Sequence, residues 1–165
     1  MKILAFLLIS SILLLTANLS KAAEDTVKLS PLFATWGIKD CTKRIDQVSA
    51  FVGYRKQAAM MAMAPPAQEN QRMLPLAIEV PLETGAAYVS ASFAPGQANG
   101  CGATYDAVIY WEKVCSKVAS KQFADFKAVG KLNQHIDVLD GGVATKVFLM
   151  PAGSGCISIK KEVLL

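Results

Sequence analysis

Four cysteines constrain this chain most, because an amino-terminal export signal places them in an oxidising compartment. Lys2 is followed by an apolar run from Ile3 to Leu15, and Ser20 and Ala22 are small residues at the two positions that a signal peptidase recognises. The apolar run is shorter than the ~20 residues that a membrane span needs. We therefore expect a signal peptide over residues 1–22, cleaved after Ala22, and a periplasmic or secreted protein.

The number and spacing of the cysteines favour structural disulfides. An even number of cysteines in an exported chain of this size predicts two disulfides, and the absence of a C-x-x-C pair does not favour a metal or redox site. Cys101 and Cys156 both lie in glycine-rich segments just before a predicted strand, whereas Cys41 and Cys115 lie near predicted helix starts. This similarity favours the pairs Cys101–Cys156 and Cys41–Cys115, although connectivity does not follow from sequence.

The composition after signal cleavage is that of one nearly neutral domain. Residues 23–165 have the length of a single ordinary domain. Loss of Lys2 and Lys21 leaves 15 basic and 13 acidic residues, with no basic run longer than Lys160-Lys161. This balance does not indicate binding to nucleic acid or to an anionic membrane. No further apolar stretch is long enough to span a membrane.

Hydrophobic spacing predicts both helices and strands. Apolar residues at helical spacing predict helices over 42–53 and 112–129, and the Ala- and Met-rich segment 57–64 favours a helix, with a strand as the alternative. Alternation with period two predicts strands over 76–80, 87–93, 105–111, 136–139, 143–150 and 156–163. In the last of these, the alternation is interpreted as placing Ile157 and Ile159 inward, with Ser158 and Lys160 outward. No internal repeat is apparent.

The order of these elements predicts the fold class. The strands fall into hairpin-like groups, with helices before and between the groups and without alternating β-α-β crossovers. This order is typical of an α+β fold. We expect an antiparallel sheet of about five to six strands, with two or three helices on one face and two disulfides.

The sequence predicts no catalytic, cofactor-binding or metal-binding residue. Ser154 has glycines as immediate neighbours and precedes a strand, whereas a nucleophile elbow has glycines two residues away and precedes a helix. His135 has no visible partner. Carboxylates such as Glu79 and Glu83 leave open a hydrolase of cell-wall or polysaccharide substrates as an alternative function.

A methionine-rich segment is the candidate contact region. Met60, Met61 and Met63 cannot all face one core if the segment is helical, because neighbouring helical residues point ~100° apart. At least one of them should be exposed, which suggests a surface for a partner. Together with Met73 they could also supply soft thioether ligands for Cu(I), so a small-ligand or copper carrier is the third alternative.

The first expectation for function is binding rather than catalysis. We expect an exported, disulfide-bonded protein that acts through protein–protein contacts in the cell envelope or outside the cell, as an inhibitor, immunity or accessory factor, without a cofactor. Small exported domains of this kind often act through their surface and loops. The sequence does not identify the partner.

Overall fold

One antiparallel sheet of eight strands is the framework of the described chain, residues 27–164, in the computed structural model. Three helices accompany the sheet within these residues. The elements in chain order are α1 Ser30–Thr35, α2 Thr42–Phe51, β1 Ala59–Ala62, β2 Leu74–Pro81, β3 Ala86–Gln97, β4 Gly100–Trp111, α3 Cys115–Gln122, β5 Lys127–Lys131, β6 Asp137–Asp140, β7 Thr145–Ala152 and β8 Gly155–Leu164. The predicted signal peptide and its cleavage site lie outside the described residues.

The α+β class is confirmed, but the sheet has more strands than the five to six predicted. All six predicted strands are present, because alternating apolar residues bury one side of each strand. The two additional strands lie where helices were expected. Strand β1 replaces the helix predicted over 57–64, and β5 replaces the end of the helix predicted over 112–129, so that α3 ends at Gln122.

The sheet consists of two halves with the same order of elements, a repeat that the sequence did not reveal. Residues 41–111 form α2 followed by the meander β1–β4, and residues 115–164 form α3 followed by the meander β5–β8. The strand order is β1-β2-β3-β4-β8-β7-β6-β5, so the last strands of the two halves pair at the centre. An approximate two-fold axis, perpendicular to the sheet, therefore passes between β4 and β8 and relates the two halves of the chain.

The two disulfides occupy equivalent places in the two halves, and they correct the predicted pairing. Cys41 bonds to Cys101, and Cys115 bonds to Cys156. Each bridge joins the start of a helix to the second residue of the last strand in the same half. The predicted pair Cys101–Cys156 is excluded because Cys156 pairs in register with Trp111, ten residues along β4 from Cys101. That separation is about 34 Å, whereas a disulfide needs Cα atoms within ~7 Å.

Two separate hydrophobic cores lie on the same face of the sheet. The larger core is formed by α1, α2 and strands β2 to β4, and the smaller core by α3 with residues of β6, β7 and β8. Ala107, Lys160 and Val147 pair in register across β4, β8 and β7. Ala107 packs on the larger core and Val147 belongs to the smaller one, so both cores and all three helices share this face. We call it the helical face.

The short helix α1 is fixed by a side chain from α2. The backbone N–H groups of Leu29 and Ser30 both donate hydrogen bonds of 2.9 Å to Asp46 Oδ1, and the Ser30 hydroxyl donates to Asp46 Oδ2 at 2.6 Å. These contacts satisfy donors that a helix amino terminus leaves free. Phe33 then packs into the larger core.

Among residues 27–164, no helix combines the length and the apolar character that a bilayer crossing requires.

Candidate functional site

A polar cluster lies on the helical face at the central strand pair. The Tyr105 hydroxyl donates a 2.8 Å hydrogen bond to Glu162 Oε2, and Lys160 Nζ lies 2.8 Å from the same oxygen. Lys160 Nζ also donates to the Tyr105 hydroxyl at 3.3 Å. Tyr105 belongs to the larger core, whereas Lys160 reaches solvent with about a third of its side chain exposed.

The electrostatics of this cluster are those of a stable ion pair. Burial raises the pKa of Tyr105, and its hydrogen bond to Glu162 raises it further. Burial alone would lower the pKa of Lys160, but hydrogen bonds to Glu162 and Tyr105 outweigh it and hold that pKa above its ordinary value. Burial alone would raise the pKa of Glu162, but hydrogen bonds from Lys160 and Tyr105 hold it below its ordinary value. Each group is thus kept in its ordinary state at neutral pH, which does not favour general acid–base catalysis.

The first testable prediction concerns the pH dependence that Glu162 contributes. Because its pKa is lower in the folded protein, Glu162 stabilises the fold above its unfolded pKa near 4.5, and this contribution is lost as the pH falls through the folded pKa. We expect Glu162→Gln to lower the free energy of unfolding by about 1 kcal/mol at pH 7 and by less at pH 3. Urea unfolding between pH 7 and pH 3 measures this difference.

The matched control is Glu83→Gln, because Glu83 lies exposed in the turn between β2 and β3. It should leave stability nearly unchanged across the same pH range. A cost of Glu162→Gln that stayed constant from pH 7 to pH 3 would contradict the assigned role of the carboxylate.

The carboxylates, serine and histidine that a hydrolase would need do not line a common cavity. A shallow depression of about 420 Å³ is lined by residues at the end of α2, before β1 and at the end of β2, including Arg55. Neither Glu79 nor Glu83 lines it. Ser154 is exposed in the turn between β7 and β8, and His135 is exposed between β5 and β6. Within residues 27–164, no group of three or more His, Cys, Asp or Glu side chains could hold a metal ion.

The methionine-rich segment is a strand, and its alternation explains which side chains are exposed. Met60 is half-buried against the larger core, whereas Met61 is 70% exposed. Met63, just beyond β1, is 56% exposed, and its N–H donates to the Pro75 carbonyl at 3.0 Å. The exposure expected from a helix therefore arises from period-two alternation at a sheet edge. Whether Met60, Met61 or Met63 contacts a partner stays a prediction.

The face of the sheet opposite the helices is the larger candidate surface, and we call it the open face. In the described chain no helix covers it, yet its centre is apolar. Two cross-strand rows of paired residues form this centre. The first apolar row is Tyr88, Val108, Ile159, Phe148 and Val138. The second apolar row is Tyr110, Ile157 and Met150.

These rows remain partly in solvent. Tyr88 and Tyr110 are more than half exposed, and the other six side chains are half-buried by their neighbours. Ile157 and Ile159 point to the open face, so their predicted inward orientation is wrong. It is Ser158 and Lys160 that face the helices. The alternation predicted for β8 is present, but alternation alone does not show which side of the strand the helices cover.

A charged row borders the apolar rows on the open face. It contains Asp106, Lys161, Lys146 and Asp140, which pair in register across four strands. Lys161 Nζ lies 2.8 Å from Asp106 Oδ1, and Lys146 Nζ lies 2.9 Å from Asp140 Oδ1. Along these four strands the charges therefore run negative, positive, positive, negative, and Lys127 of β5 pairs with Asp140 at the outer end of the row.

The residues of the open face were not predicted as a site, although the sequence of β7 indicates that this strand has apolar side chains on both faces. Val147, Phe148, Leu149 and Met150 form an unbroken apolar run. Such a run indicates a strand with apolar side chains on both faces. Val147 and Leu149 enter the smaller core, and Phe148 and Met150 lie on the open face.

Comparison with models of protein families, with curated proteins and with solved structures finds no match for this chain. The functional conclusion therefore depends on the chain itself.

Proposed function

We propose that this chain is an exported protein that acts by binding another protein through its open face. The observation that carries the proposal is the pair of apolar rows, eight side chains that cross five strands without a covering helix in the described residues. A contiguous apolar patch of this kind commonly marks a protein-binding surface.

Two further features support an exported binding protein. All four cysteines are engaged in disulfides, as is typical of proteins in oxidising compartments. Residues 1–22 also have the pattern of a signal peptide. A periplasmic or secreted location, with a role as an inhibitor, immunity or accessory factor, is consistent with both. Polymer hydrolysis and copper carriage have no comparable observation in their favour.

The second testable prediction places the contact at the open face. Ile159 lies at the centre of the first apolar row, so Ile159→Glu should abolish partner capture by placing a charge where an apolar contact is needed. The immobilised protein is incubated with an extract of its own export compartment, and bound proteins are identified by mass spectrometry.

Val143→Glu is the matched control, since Val143 is fully exposed in the turn between β6 and β7. It introduces the same charge away from the apolar rows and should leave capture intact. Both variants must retain two disulfides and a cooperative thermal transition. Equal capture by wild type and Ile159→Glu would disprove the proposed function.

A further inference from the structure

We infer that the partner of the open face is a second copy of this chain, packed face to face about a two-fold axis that runs along the strands between β4 and β8. This inference rests on the proposed function, because it names the occupant of the same surface. The inference follows from which side chains of the charged row and the apolar rows lie opposite each other when a second copy is generated by rotation about that axis.

The charged row is complementary to itself under this rotation. A two-fold axis parallel to the strands sets each row of one copy opposite the same row of the other copy. It places β4 of one copy opposite β8 of the other. Asp106 then lies opposite Lys161 of the second copy, and Lys161 lies opposite Asp106. Lys146 faces the uncharged Ser90, which occupies the same row on β3. Every charge near the axis therefore meets either an opposite charge or a neutral side chain.

The apolar rows are complementary under the same rotation. Val108 meets Ile159 of the second copy at the axis, and Phe148 meets Tyr88. In the second apolar row, Tyr110 meets Ile157. The apolar side chains of β3, β4, β8 and β7 in the first row are thus covered by apolar side chains, whereas Val138 at the edge of that row lies opposite Glu79, which occupies the same row on β2.

Other two-fold axes in the plane of the face do not give this match. An axis between β8 and β7 sets Lys161 against Lys146 of the second copy, and Asp106 against Asp140. An axis perpendicular to the strands through the charged row opposes equal charges, and one between the charged row and an apolar row sets charges against apolar side chains. Like charges opposed across an interface cost several kcal/mol. An axis between β3 and β4 opposes no like charges, but it sets Ile159 against Glu79 of the second copy. The charged row and the apolar rows together therefore select the line between β4 and β8.

The available area is adequate for such a contact. Four strands, β3, β4, β8 and β7, oppose one another across this axis. At ~4.8 Å spacing, with four outward residues each along ~27 Å, they give a footprint of about 520 Å² per copy. The two copies together therefore bury about 1,040 Å², just above the ~1,000 Å² that a specific interface needs. Two sheets packed in this way form the two layers of a β-sandwich.

The oligomeric state tests the inference directly. Sedimentation equilibrium of the mature protein should give twice the monomer mass at micromolar concentration. Ile159→Glu should weaken association at least 100-fold, whereas Val143→Glu should leave it unchanged. A wild-type protein that stays monomeric at all concentrations, or an Ile159→Glu variant that dimerises like wild type, would overturn the inference.

A crosslinking pair tests the axis. Tyr88 and Phe148 lie three strands apart within one chain, a distance of about 14 Å. The proposed axis brings each of them opposite the other in the second copy. A bismaleimide shorter than that distance should link the Tyr88→Cys/Phe148→Cys variant into covalent dimers. Neither Tyr88→Cys alone nor Phe148→Cys alone should form covalent dimers. A wild-type dimer with no crosslink in the double variant would overturn this packing.

The two proposals fail differently. If wild type is monomeric but Ile159→Glu loses capture of a different protein, self-association is wrong and the proposed function stands. If Ile159→Glu affects neither dimerisation nor capture, both are wrong.

Discussion

Removing the Cys41–Cys101 bridge in a Cys41→Ala/Cys101→Ala variant is expected to lower the free energy of unfolding by about 4 kcal/mol. The bridge closes a loop with a sequence separation of 60 residues, and its loss restores conformational entropy to the unfolded chain. It also releases the start of α2 from the strand that carries much of the larger core. Urea unfolding without reductant measures the effect, and a loss below ~1 kcal/mol would contradict it.

The pairing is checked with a variant that removes one cysteine from each bridge. Cys41→Ala/Cys115→Ala leaves Cys101 and Cys156, which lie at opposite ends of the central strand pair. Monomeric variant protein should therefore show two free thiols. A single Cys101–Cys156 disulfide in this variant would contradict the strand register described above.

Replacing Phe33 with alanine is expected to cost about 4 kcal/mol. Its side chain is 0% exposed, lies in the larger core and meets the Trp36 ring edge to face, with centroids 5.0 Å apart. Truncating a buried phenylalanine removes apolar burial and leaves a cavity. Helix α1 has six residues, too few to be stable alone, so its helicity depends on this packing. Urea unfolding and amide exchange of α1 measure the two effects.

Leu32→Ala is the matched control, because Leu32 precedes Phe33 in the same helix and is 41% exposed. It should cost less than ~1 kcal/mol, in line with its smaller burial. Equal costs for the two substitutions would show that α1 is stabilised by helix propensity rather than by its contact with the core.

Local periodicity was sufficient to predict much of the framework. Leu76, Ile78 and Val80 alternate with less hydrophobic or exposed residues, and each is buried in β2. The spacing of Ile45 and Val48 predicted α2, whose buried face contains both. Strand β1 was only the alternative prediction for residues 57–64, and β5 was not predicted, because their sequences lack such a pattern. All five residues of β5 are exposed, so its pairing with β6 has no hydrophobic signature.

Properties that depend on distant parts of the chain required the tertiary structure. Similar local sequence around Cys101 and Cys156 suggested that they pair, but it reflects equivalent positions in two halves whose last strands run antiparallel. Phe148 and Ile159 show the same limit for the candidate site. Alternation divides a strand into two faces, and only the packing of helices from elsewhere in the chain decides which face they cover. The sequence by itself therefore determined six of the eight strands, α2 and the presence of two disulfides, whereas the tertiary structure decided how the cysteines pair and which apolar side chains stay in solvent.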